Sequence, residues 1–262
     1  MRYDYDGKNV IVTSATGGIG KEVARGIIAG GGSVALIGLT LDEANKVAAE
    51  LGEHAHPYAM DQSNRDAVDA AFQQILDDFG RIDVLINVAG IISAKSFDEL
   101  SPAEWDRTLA VNLTGPFNTV HAIWEHFKNN GGGRIVNVSS VAGKIGGGLL
   151  GTTAYASSKA GLNGFTKAIA KEGAKYGIYA NAVCPSFTHT GMTAALEADP
   201  QKRQRVLSMI PLGRGAAPAE IAQMILFFGC DAASFITGEI GDCDGFITSE
   251  IGDCDGGIVM DG

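Results

Sequence analysis

Short apolar runs alternate along the chain with longer stretches in which apolar residues recur at helical spacing. Near-continuous apolar strands separated by amphipathic helices are typical of a parallel sheet that is covered by helices on both faces. The pattern therefore predicts a single-domain, doubly wound α/β fold over residues 1–262, with no linker and no second domain. The predicted strands are Asn9–Thr13, Val34–Leu39, Val84–Asn87, Ile135–Ser139 and Tyr179–Cys184.

Local sequence marks two of the helix starts. Ser101-Pro102-Ala103-Glu104 combines a capping serine with proline at the first helical position and glutamate at the third. Pro218 similarly opens a helix that runs toward Cys230. These signals support helices between the predicted strands.

The composition indicates a soluble globular protein, with 45% apolar and 19% charged residues. The net charge is −10 and no block of lysine and arginine is present, so neither nucleic acid nor an anionic membrane is an expected partner. No apolar run reaches the length of about 18 residues that a membrane-spanning helix needs. Met1–Asp6 lacks the apolar region of a secretion signal, which predicts a cytoplasmic protein. The four cysteines have no metal-ligand spacing, so we expect reduced thiols and no metal site: Cys184, Cys230, Cys243 and Cys254.

A turn of small residues follows the first predicted strand and leads into a helix: Thr13-Ser14-Ala15-Thr16-Gly17-Gly18-Ile19-Gly20. Such a turn lets backbone N–H groups and the helix N-terminus approach a pyrophosphate closely. An ordinary glycine-rich turn is the alternative. In dinucleotide-binding folds a residue about 20 positions after the glycines contacts the adenosine ribose, and Leu39-Thr40 occupy that place here.

Candidate chemistry lies between Ser140 and Lys159. Tyr155 and Lys159 are four residues apart, so on a helix they share one face. A free phenol has a pKa of roughly 10, and a neighbouring ammonium lowers it toward the range of a useful acid/base. Ser140, at the end of a predicted strand, could donate a hydrogen bond to a substrate oxygen. Tyrosine and lysine one turn apart also occur often on ordinary helix surfaces, so this pair is weak by itself.

Together these pieces resemble the short-chain dehydrogenase/reductase family over essentially the whole chain, which implies a Rossmann fold. The family's glycine motif falls on Thr13, Ser14, Gly18 and Gly20, its adenine-contacting aspartate on Asp61, and its Asn-Asn-Ala-Gly on Asn87-Val88-Ala89-Gly90. Its helix asparagine falls on Asn112, its serine and Tyr-x-x-x-Lys on Ser140, Tyr155 and Lys159, and its nicotinamide-side segment on Pro185-Ser186, Thr188 and Thr190. The resemblance implies these cofactor-binding residues: Ser14, Thr16, Gly18, Ile19, Gly20, Leu39, Asp61, Asn87, Ala89, Gly90, Tyr155, Lys159, Pro185, Thr188 and Thr190.

Three positions depart from the family pattern. Ser14 replaces the first glycine of the turn, Val88 the second asparagine, and Ser186 the glycine after Pro185. None of the three removes a proton-transfer group. A side chain at Ser14 would crowd the adenosine or force a different turn, or its hydroxyl would contact a phosphate or the ribose.

The mechanism implied by the family is reversible hydride transfer between a nicotinamide and a secondary alcohol or ketone. Tyr155 would be the acid/base, and Lys159 would lower its pKa and hold the nicotinamide ribose. Ser140 would orient the carbonyl, and Asn112 would hold a water that relays protons. The chain is thus interpreted as an NAD(P)-dependent alcohol dehydrogenase or carbonyl reductase.

Two further segments are predicted to form the substrate pocket. One is the loop Ala142–Thr153, and the other is a lid over Gly191–Pro211. Simple helix packing is the alternative for the lid's apolar residues, which are Met192, Leu196, Leu207, Met209 and Ile210. No arginine cluster marks a charged substrate, and Lys202–Arg205 is interpreted as a solvated face. The expected substrate is therefore a small or medium neutral carbonyl or alcohol.

Two other functions stay open. One is a reductase of carrier-bound 3-oxoacyl substrates, which should present a basic surface to an acidic carrier; this acidic chain offers little. The other is a non-catalytic dinucleotide-sensing protein, which would have no use for the full set of Asn112, Ser140, Tyr155 and Lys159.

Charge near the second strand bears on the choice of cofactor. A 2′-phosphate needs a nearby cation, whereas Leu39, Thr40 and Gly17 are uncharged. NAD(H) is therefore predicted over NADP(H). Family members usually pair through two long helices, here about Ala103–Lys128 and Ala154–Tyr176, and a homotetramer is expected. Apolar residues in excess of one sheet-facing stripe support this: Phe117, Val120, Ile123, Trp124 and Phe127.

The C-terminal part contains a tandem duplication over residues 235–256. Phe246–Gly256 repeats Phe235–Gly245 with one change, Gly238 to Ser249. The register of the acidic residues does not fit a calcium loop. Only one copy can form the last strand of the sheet, and we predict that the first copy does so, over Glu239–Cys243. Deleting the second copy should then leave the fold and the Tyr155 chemistry intact while changing assembly or substrate affinity.

Overall fold

The computed structural model describes residues 3–148 and 151–245. Its centre is a parallel sheet of seven strands in the order β3-β2-β1-β4-β5-β6-β7. The strands are β1 (Asn9–Thr13), β2 (Ser33–Gly38), β3 (Ala55–Ala59), β4 (Val84–Asn87), β5 (Gly133–Val138), β6 (Ile178–Pro185) and β7 (Ile240–Cys243). This is the predicted doubly wound Rossmann-type fold. The five strands predicted by name are confirmed, with ends that shift by at most two residues.

Helices connect the strands on both faces of the sheet. They are α1 (Gly18–Ala29), α2 (Leu41–Leu51), α3 (Arg65–Phe79), α4 (Pro102–Leu109), α5 (Gly115–Asn129), α6 (Ala142–Ile145), α7 (Thr153–Gly173), α8 (Ala194–Glu197), α9 (Pro200–Ser208) and α10 (Pro218–Gly229). Short 3₁₀ segments occur at Ala174–Tyr176, Gly191–Thr193 and Asp231–Ala233. The helix starts predicted at Ser101-Pro102 and at Pro218 are confirmed.

The sheet separates two layers of buried apolar side chains. On one face, Val23 and Ile27 of α1 meet Ile221 and Ile225 of α10. On the other, the core is built from α3, α5 and α7, represented by Phe72, Ile123, Phe127 and Ile169. Because strands such as β1 and β4 contribute side chains to both layers, they contain unbroken apolar runs, Val10–Val12 and Val84–Ile86.

Strand order reverses beside β1, which pairs with β2 on one side and with β4 on the other. In open α/β sheets, ligands bind in the crevice outside the carboxyl ends of the strands at such a reversal. The loops after β1, β4, β5 and β6 all end at this edge, and they carry the predicted site residues.

The helix predicted over about Ala103–Lys128 is present, and it contains a π-helical turn. A π-helical turn, Ala110–Thr114, separates α4 from α5, and the N–H of Gly115 bonds to the carbonyl of Ala110. The next residue is Pro116, which has no N–H to continue the ladder. The missing donor gives a physical reason for the interruption, which lies at Asn112. The second predicted helix, Ala154–Tyr176, is α7 followed by a 3₁₀ turn.

The last strand of the described sheet comes from the first copy of the duplicated segment. Ile240–Cys243 pairs in parallel with β6, with Ala182 opposite Ile240 and Pro185 opposite Cys243. The prediction that the first copy enters the sheet is therefore confirmed. The second copy, 246–256, lies outside the described residues.

Across residues 3–148 and 151–245, no helix is long and apolar enough to cross a membrane. The same residues contain no group of three histidine, cysteine or acidic side chains that could hold a metal ion. Cys184, Cys230 and Cys243 are free thiols, and Cys254 lies outside the described part of the chain.

Candidate active site

The glycine turn has an unusual backbone at Ser14. Its φ is +52°, a left-handed conformation that favours glycine, and Gly18 has a similar φ of +49°. Ser14 thus keeps the turn geometry that glycine would give and accepts the strain. A Cβ at Gly20 would lie 2.2 Å from the Ser14 carbonyl oxygen, so the start of α1 packs directly against the turn.

Thr13 joins the glycine turn to the loop that follows β4. Its hydroxyl accepts hydrogen bonds from the N–H groups of Val88 and Ala89, at 3.0 and 3.1 Å. The adjacent Gly90 approaches the catalytic candidates closely. A Cβ there would lie 3.3 Å from Asn112 Oδ1 and 3.4 Å from Lys159 Nζ.

A cavity of about 480 Å³ opens at the carboxyl edge of the sheet, between the glycine turn and the lid. Lining it are Ser140, Tyr155 and Lys159 of the predicted catalytic set. Ten of the predicted cofactor-binding residues also line it: Ser14, Thr16, Gly18, Ile19, Gly90, Tyr155, Lys159, Pro185, Thr188 and Thr190. The structure therefore brings together one end of the cofactor motif and the acid/base candidates in one space.

Lys159 is almost fully buried, and its position is fixed by β5. Its Nζ donates to the Val138 carbonyl at 2.8 Å, and its own carbonyl accepts from the Ser139 hydroxyl at 3.1 Å. The Nζ lies 5.8 Å from the centre of the Tyr155 ring. Helix α7 therefore places both side chains at the end of β5, as the four-residue spacing predicts.

Burial has opposite effects on the two ionisable groups. It raises the pKa of the Tyr155 phenol above its ordinary value, and a hydrogen bond with the Ser140 side chain only partly offsets this. Burial lowers the pKa of Lys159 to about 8. Burial is the largest influence on the Tyr155 pKa in this structure, and the lowering by Lys159 stays a prediction.

Asn112 lies in the π-helical turn with no exposed surface. Its Oδ1 accepts from the Ile91 N–H at 2.8 Å, and its Nδ2 donates to the Ile91 carbonyl at 2.9 Å and to the Ser158 hydroxyl at 3.1 Å. Both amide hydrogens are thus used within the protein. A relay water at this residue would have to donate to an oxygen, either Oδ1 or the backbone carbonyl.

Five of the predicted cofactor residues lie outside the cavity wall. Gly20 supports the turn, and Ala89 contributes backbone groups to the contacts described above. Leu39 is exposed just after β2. Asp61, after β3, accepts from Ser63, which lowers the pKa of its carboxyl.

Asn87 is the fifth residue, and its side chain is directed into the protein. It is buried, donates to Asn137 Oδ1 at 3.0 Å and accepts from the Thr119 hydroxyl at 2.8 Å. Its role in this structure is to connect β4 with β5 and α5. The sequence motif alone gives no sign of this inward direction.

The lid predictions are met in part. Met192, Met209 and Ile210 line the cavity, whereas Leu196 and Leu207 pack in a small apolar cluster behind it. The charged run Lys202–Arg205 is exposed, as predicted. Sequence reasoning missed Val206, which lines the cavity and could have been found from its spacing of three and four residues to Met209 and Ile210.

The loop after β5 contributes Ala142, Gly147, Gly148 and Gly151 to the cavity, as predicted, and also Ile145. Leu149 and Leu150 lie outside the described residues. A mostly buried ion pair connects the short helix α6 to β7: Lys144 Nζ lies 2.9 Å from an Asp242 carboxylate oxygen. Sequence spacing gave no sign of this contact, because 98 positions separate the two residues.

The cavity fits a dinucleotide. The first residues of α1, including Gly18 and Ile19, face it and offer backbone donors for a pyrophosphate. Tyr155 and Lys159 line the same cavity and would hold a nicotinamide and its ribose. Such a cofactor, when bound, supplies a hydride donor or acceptor.

Comparison with known proteins agrees with this geometry. The sequence pattern of the short chain dehydrogenase family matches residues 8–201. The chain is 38% identical over 244 residues to a 3-oxoacyl-[acyl-carrier-protein] reductase FabG of Aquifex aeolicus (strain VF5), covering 92% of this chain and 97% of the relative. It is 38% identical over 238 residues to an acetoacetyl-CoA reductase of Shinella zoogloeoides, covering 90% and 96%.

A solved structure gives the same result for the fold. The gluconate 5-dehydrogenase of Burkholderia cenocepacia J2315, in complex with NADP and tartrate, superposes with a TM-score of 0.90 at 28% identity, covering 95% of this chain and 98% of that chain. The fold, the site and the matched sequence lead to one conclusion: this chain belongs to the short-chain dehydrogenase/reductase family and is an oxidoreductase that uses a nicotinamide dinucleotide.

Proposed function

We propose that the protein reduces 3-oxoacyl thioesters to 3-hydroxyacyl thioesters. The alternative in the sequence analysis was a carrier-bound 3-oxoacyl substrate. The relatives at 38% identity favour this class over a small alcohol or ketone, because their names specify 3-oxoacyl-[acyl-carrier-protein] and acetoacetyl-CoA. The observation that carries the proposal is the apolar character of the substrate side of the cavity.

That side is formed by the loop after β5 and by the lid. Its apolar side chains are Val141, Ile145, Met192, Val206, Met209 and Ile210. Lys159 is the only cation that lines the cavity within the described part of the chain. A sugar acid would find no guanidinium for its carboxylate among the described lining residues, whereas an acyl chain removes apolar surface from water. The site therefore suits an acyl substrate better than a gluconate-like one.

The proposed chemistry uses three side chains that line the cavity. Ser140 donates a hydrogen bond to the ketone oxygen and orients it. A reduced nicotinamide held beside Tyr155 and Lys159 would supply the hydride for the carbonyl carbon, and the Tyr155 phenol gives its proton to the carbonyl oxygen. Lys159, in its charged form, stabilises the phenolate that remains. Asn112, through its paired contacts with Ile91, holds the loop that contains Gly90 beside Lys159.

The test is turnover of acetoacetyl-CoA, followed by the loss of NADH or NADPH absorbance. A panel of unactivated ketones and 5-ketogluconate is compared at equal concentration. The proposal expects kcat/KM for the thioester to exceed that for every other compound by at least about tenfold, a difference of roughly 1.4 kcal/mol. A higher kcat/KM for 5-ketogluconate would overturn it.

We propose a coenzyme A thioester rather than an acidic protein carrier as the partner. The net charge of −10 disfavours both anionic partners, and it disfavours an acidic carrier protein more because the carrier must dock over a larger negatively charged surface. The test compares turnover of acetoacetyl-CoA with turnover of the acetoacetyl group on acyl carrier protein, at equal concentrations and low salt. A preference for the carrier substrate that disappears at high salt would contradict this choice.

We propose NAD(H) as the preferred cofactor. Leu39 follows β2 without a charge, Thr40 caps α2 by accepting from the Glu43 N–H at 3.3 Å, and Asp42 and Glu43 lie in that first turn. Acidic residues close to this place disfavour a 2′-phosphate. A kcat/KM with NADPH more than about tenfold above that with NADH would overturn the preference.

We also propose that the protein is a homotetramer in the cytoplasm. On α5, Val120, Ile123 and Phe127 are used in the core, but Phe117 is 46% exposed and its ring pairs with Phe165 of α7 at 6.3 Å. This apolar face on α5 and α7 supports pairing of those helices between copies. Light scattering at micromolar concentration is the test, and a monomer would contradict the proposal.

A further inference from the structure

Gln62 is a buried polar residue that the sequence analysis did not single out. It follows Asp61 after β3 and is only 4% exposed. Its Nε2 donates to the Val111 carbonyl at 2.8 Å and to the Ala89 carbonyl at 3.3 Å. Its own carbonyl accepts from Asn118 Nδ2 at 3.0 Å, so α5 fixes its backbone. Gln62 thus contacts both chain segments that surround Asn112.

The π-helical turn creates the need for this donor. The N–H of Gly115, which an α-helix would direct to the Val111 carbonyl, bonds instead to Ala110. In the π-helical register the donor to Val111 would be residue 116, which is proline and has no N–H. The Val111 carbonyl is buried in the turn without a helical partner, and Gln62 supplies one from outside the helix.

The second contact reaches the cofactor loop. Ala89 immediately precedes Gly90, whose backbone lies against Asn112 Oδ1 and Lys159 Nζ. Gln62 therefore holds the loop after β4 and the π-helical turn at a fixed separation. Its Oε1 is buried with no hydrogen-bond partner, which costs free energy. A buried amide with an unsatisfied oxygen is a poor choice for packing alone, because an apolar side chain of equal size would avoid that cost.

We propose that Gln62 is a positioning residue for the catalytic centre: its amide holds the π-helical turn at Val111 and the loop at Ala89, and so keeps Asn112 and Gly90 in place beside Lys159. The proposal rests on the proposed function in that turnover is its readout. It requires only a ketone that the wild-type enzyme reduces, so it can fail independently of the 3-oxoacyl assignment.

Two variants test the proposal from different directions. Gln62→Met keeps the size of the side chain and removes both donors. Gly115→Ala keeps the amide but places a Cβ 2.6 Å from Gln62 Cγ, so Gln62 must move. Alanine is otherwise a better helix residue than glycine. The matched control is Gln73→Met on α3, where the exposed Gln73 amide bonds to Asp77.

We expect both variants to lower kcat by about tenfold or more and to leave KM for the ketone within about twofold. The reason is that the groups beside Lys159 are displaced, whereas the side chains that form the substrate side of the cavity keep their positions. Gln73→Met should match the wild type. A crystal structure of either variant should show the Asn112–Ile91 hydrogen bonds broken or lengthened. If Gln62→Met keeps kcat within about twofold of the wild type, or if both variants lose stability and kcat in proportion with the Asn112–Ile91 bonds intact, the proposal is wrong.

Discussion

The Nζ atom of Lys159 lies 5.8 Å from the centre of the Tyr155 ring, and both side chains line the same cavity. Burial lowers the pKa of this ammonium to about 8 while it raises that of the phenol. The pair therefore favours carbonyl reduction at neutral pH, where the phenol holds its proton and the lysine holds its charge.

The pH dependence of reduction follows from the lowered pKa of Lys159 and the raised pKa of Tyr155. Lys159 is charged below its pKa of about 8 and neutral above it. Because only the charged form stabilises the phenolate left on Tyr155, kcat for reduction should decline as the pH rises through about 8, and Lys159→Met should remove this decline along with most of the activity. The measurement is kcat at saturating substrates from about pH 6 to 10, with the exposed Lys167→Met as the control. A flat wild-type profile across this range would contradict the account.

The backbone at Ser14 gives a stability prediction. A non-glycine residue in the left-handed region costs about 1–2 kcal/mol of folding free energy. Glycine avoids this cost, but part of the gain is lost because glycine raises the conformational entropy of the unfolded chain. Ser14→Gly should therefore raise the free energy of unfolding by about 0.5–1 kcal/mol, measured by urea unfolding. A loss of stability in Ser14→Gly would show that the strain assignment is wrong.

Ser14→Ala separates the side-chain hydroxyl from the turn. It keeps the strained backbone of the wild type and removes only the hydroxyl. If NADH binds more weakly to both the alanine and the glycine variants, the hydroxyl contacts the cofactor. If both variants bind NADH as tightly as the wild type, the serine hydroxyl has no role in cofactor binding.

One ion pair tests which copy of the duplicated segment forms the last strand of the sheet. Lys144 and Asp242 are mostly buried, with side chains 11% and 14% exposed, and the pair connects α6 to β7. Asp242→Asn removes the carboxylate charge from this mostly buried pair, so the free energy of unfolding should fall by about 2–4 kcal/mol. The equivalent aspartate in the second copy is Asp253. Asp253→Asn should change stability by less than about 0.5 kcal/mol. Equal losses in both variants would show that the two copies exchange in the sheet.

The sequence predicted much of the fold because parallel strands that are buried on both faces have nearly continuous apolar sequences. Val84–Asn87 and Asn9–Thr13 were predicted to the residue for this reason. The third strand, Ala55–Ala59, was not identified by pattern because it is an edge strand with a histidine, a proline and exposed positions. The site residues Tyr155 and Lys159 were found because helical spacing relates them.

The remaining features depend on contacts between distant residues. The interruption of the helix at Asn112 arises from Pro116 and a donor supplied by Gln62, 49 positions before Val111. The inward direction of Asn87 depends on Asn137 and Thr119 of neighbouring elements. The raised phenol pKa depends on which parts of the folded chain surround the Tyr155 side chain. No local pattern in the sequence encodes these three features.

The central claim, that Tyr155 transfers the proton in thioester reduction, is tested most directly by kcat of Tyr155→Phe with acetoacetyl-CoA. The account predicts a loss of at least about 10³-fold, with NADH affinity and melting temperature unchanged, because only the phenol hydroxyl is removed. The control, Tyr176→Phe in the 3₁₀ turn after α7, should keep wild-type turnover. A kcat for Tyr155→Phe within about tenfold of the wild type would contradict the account.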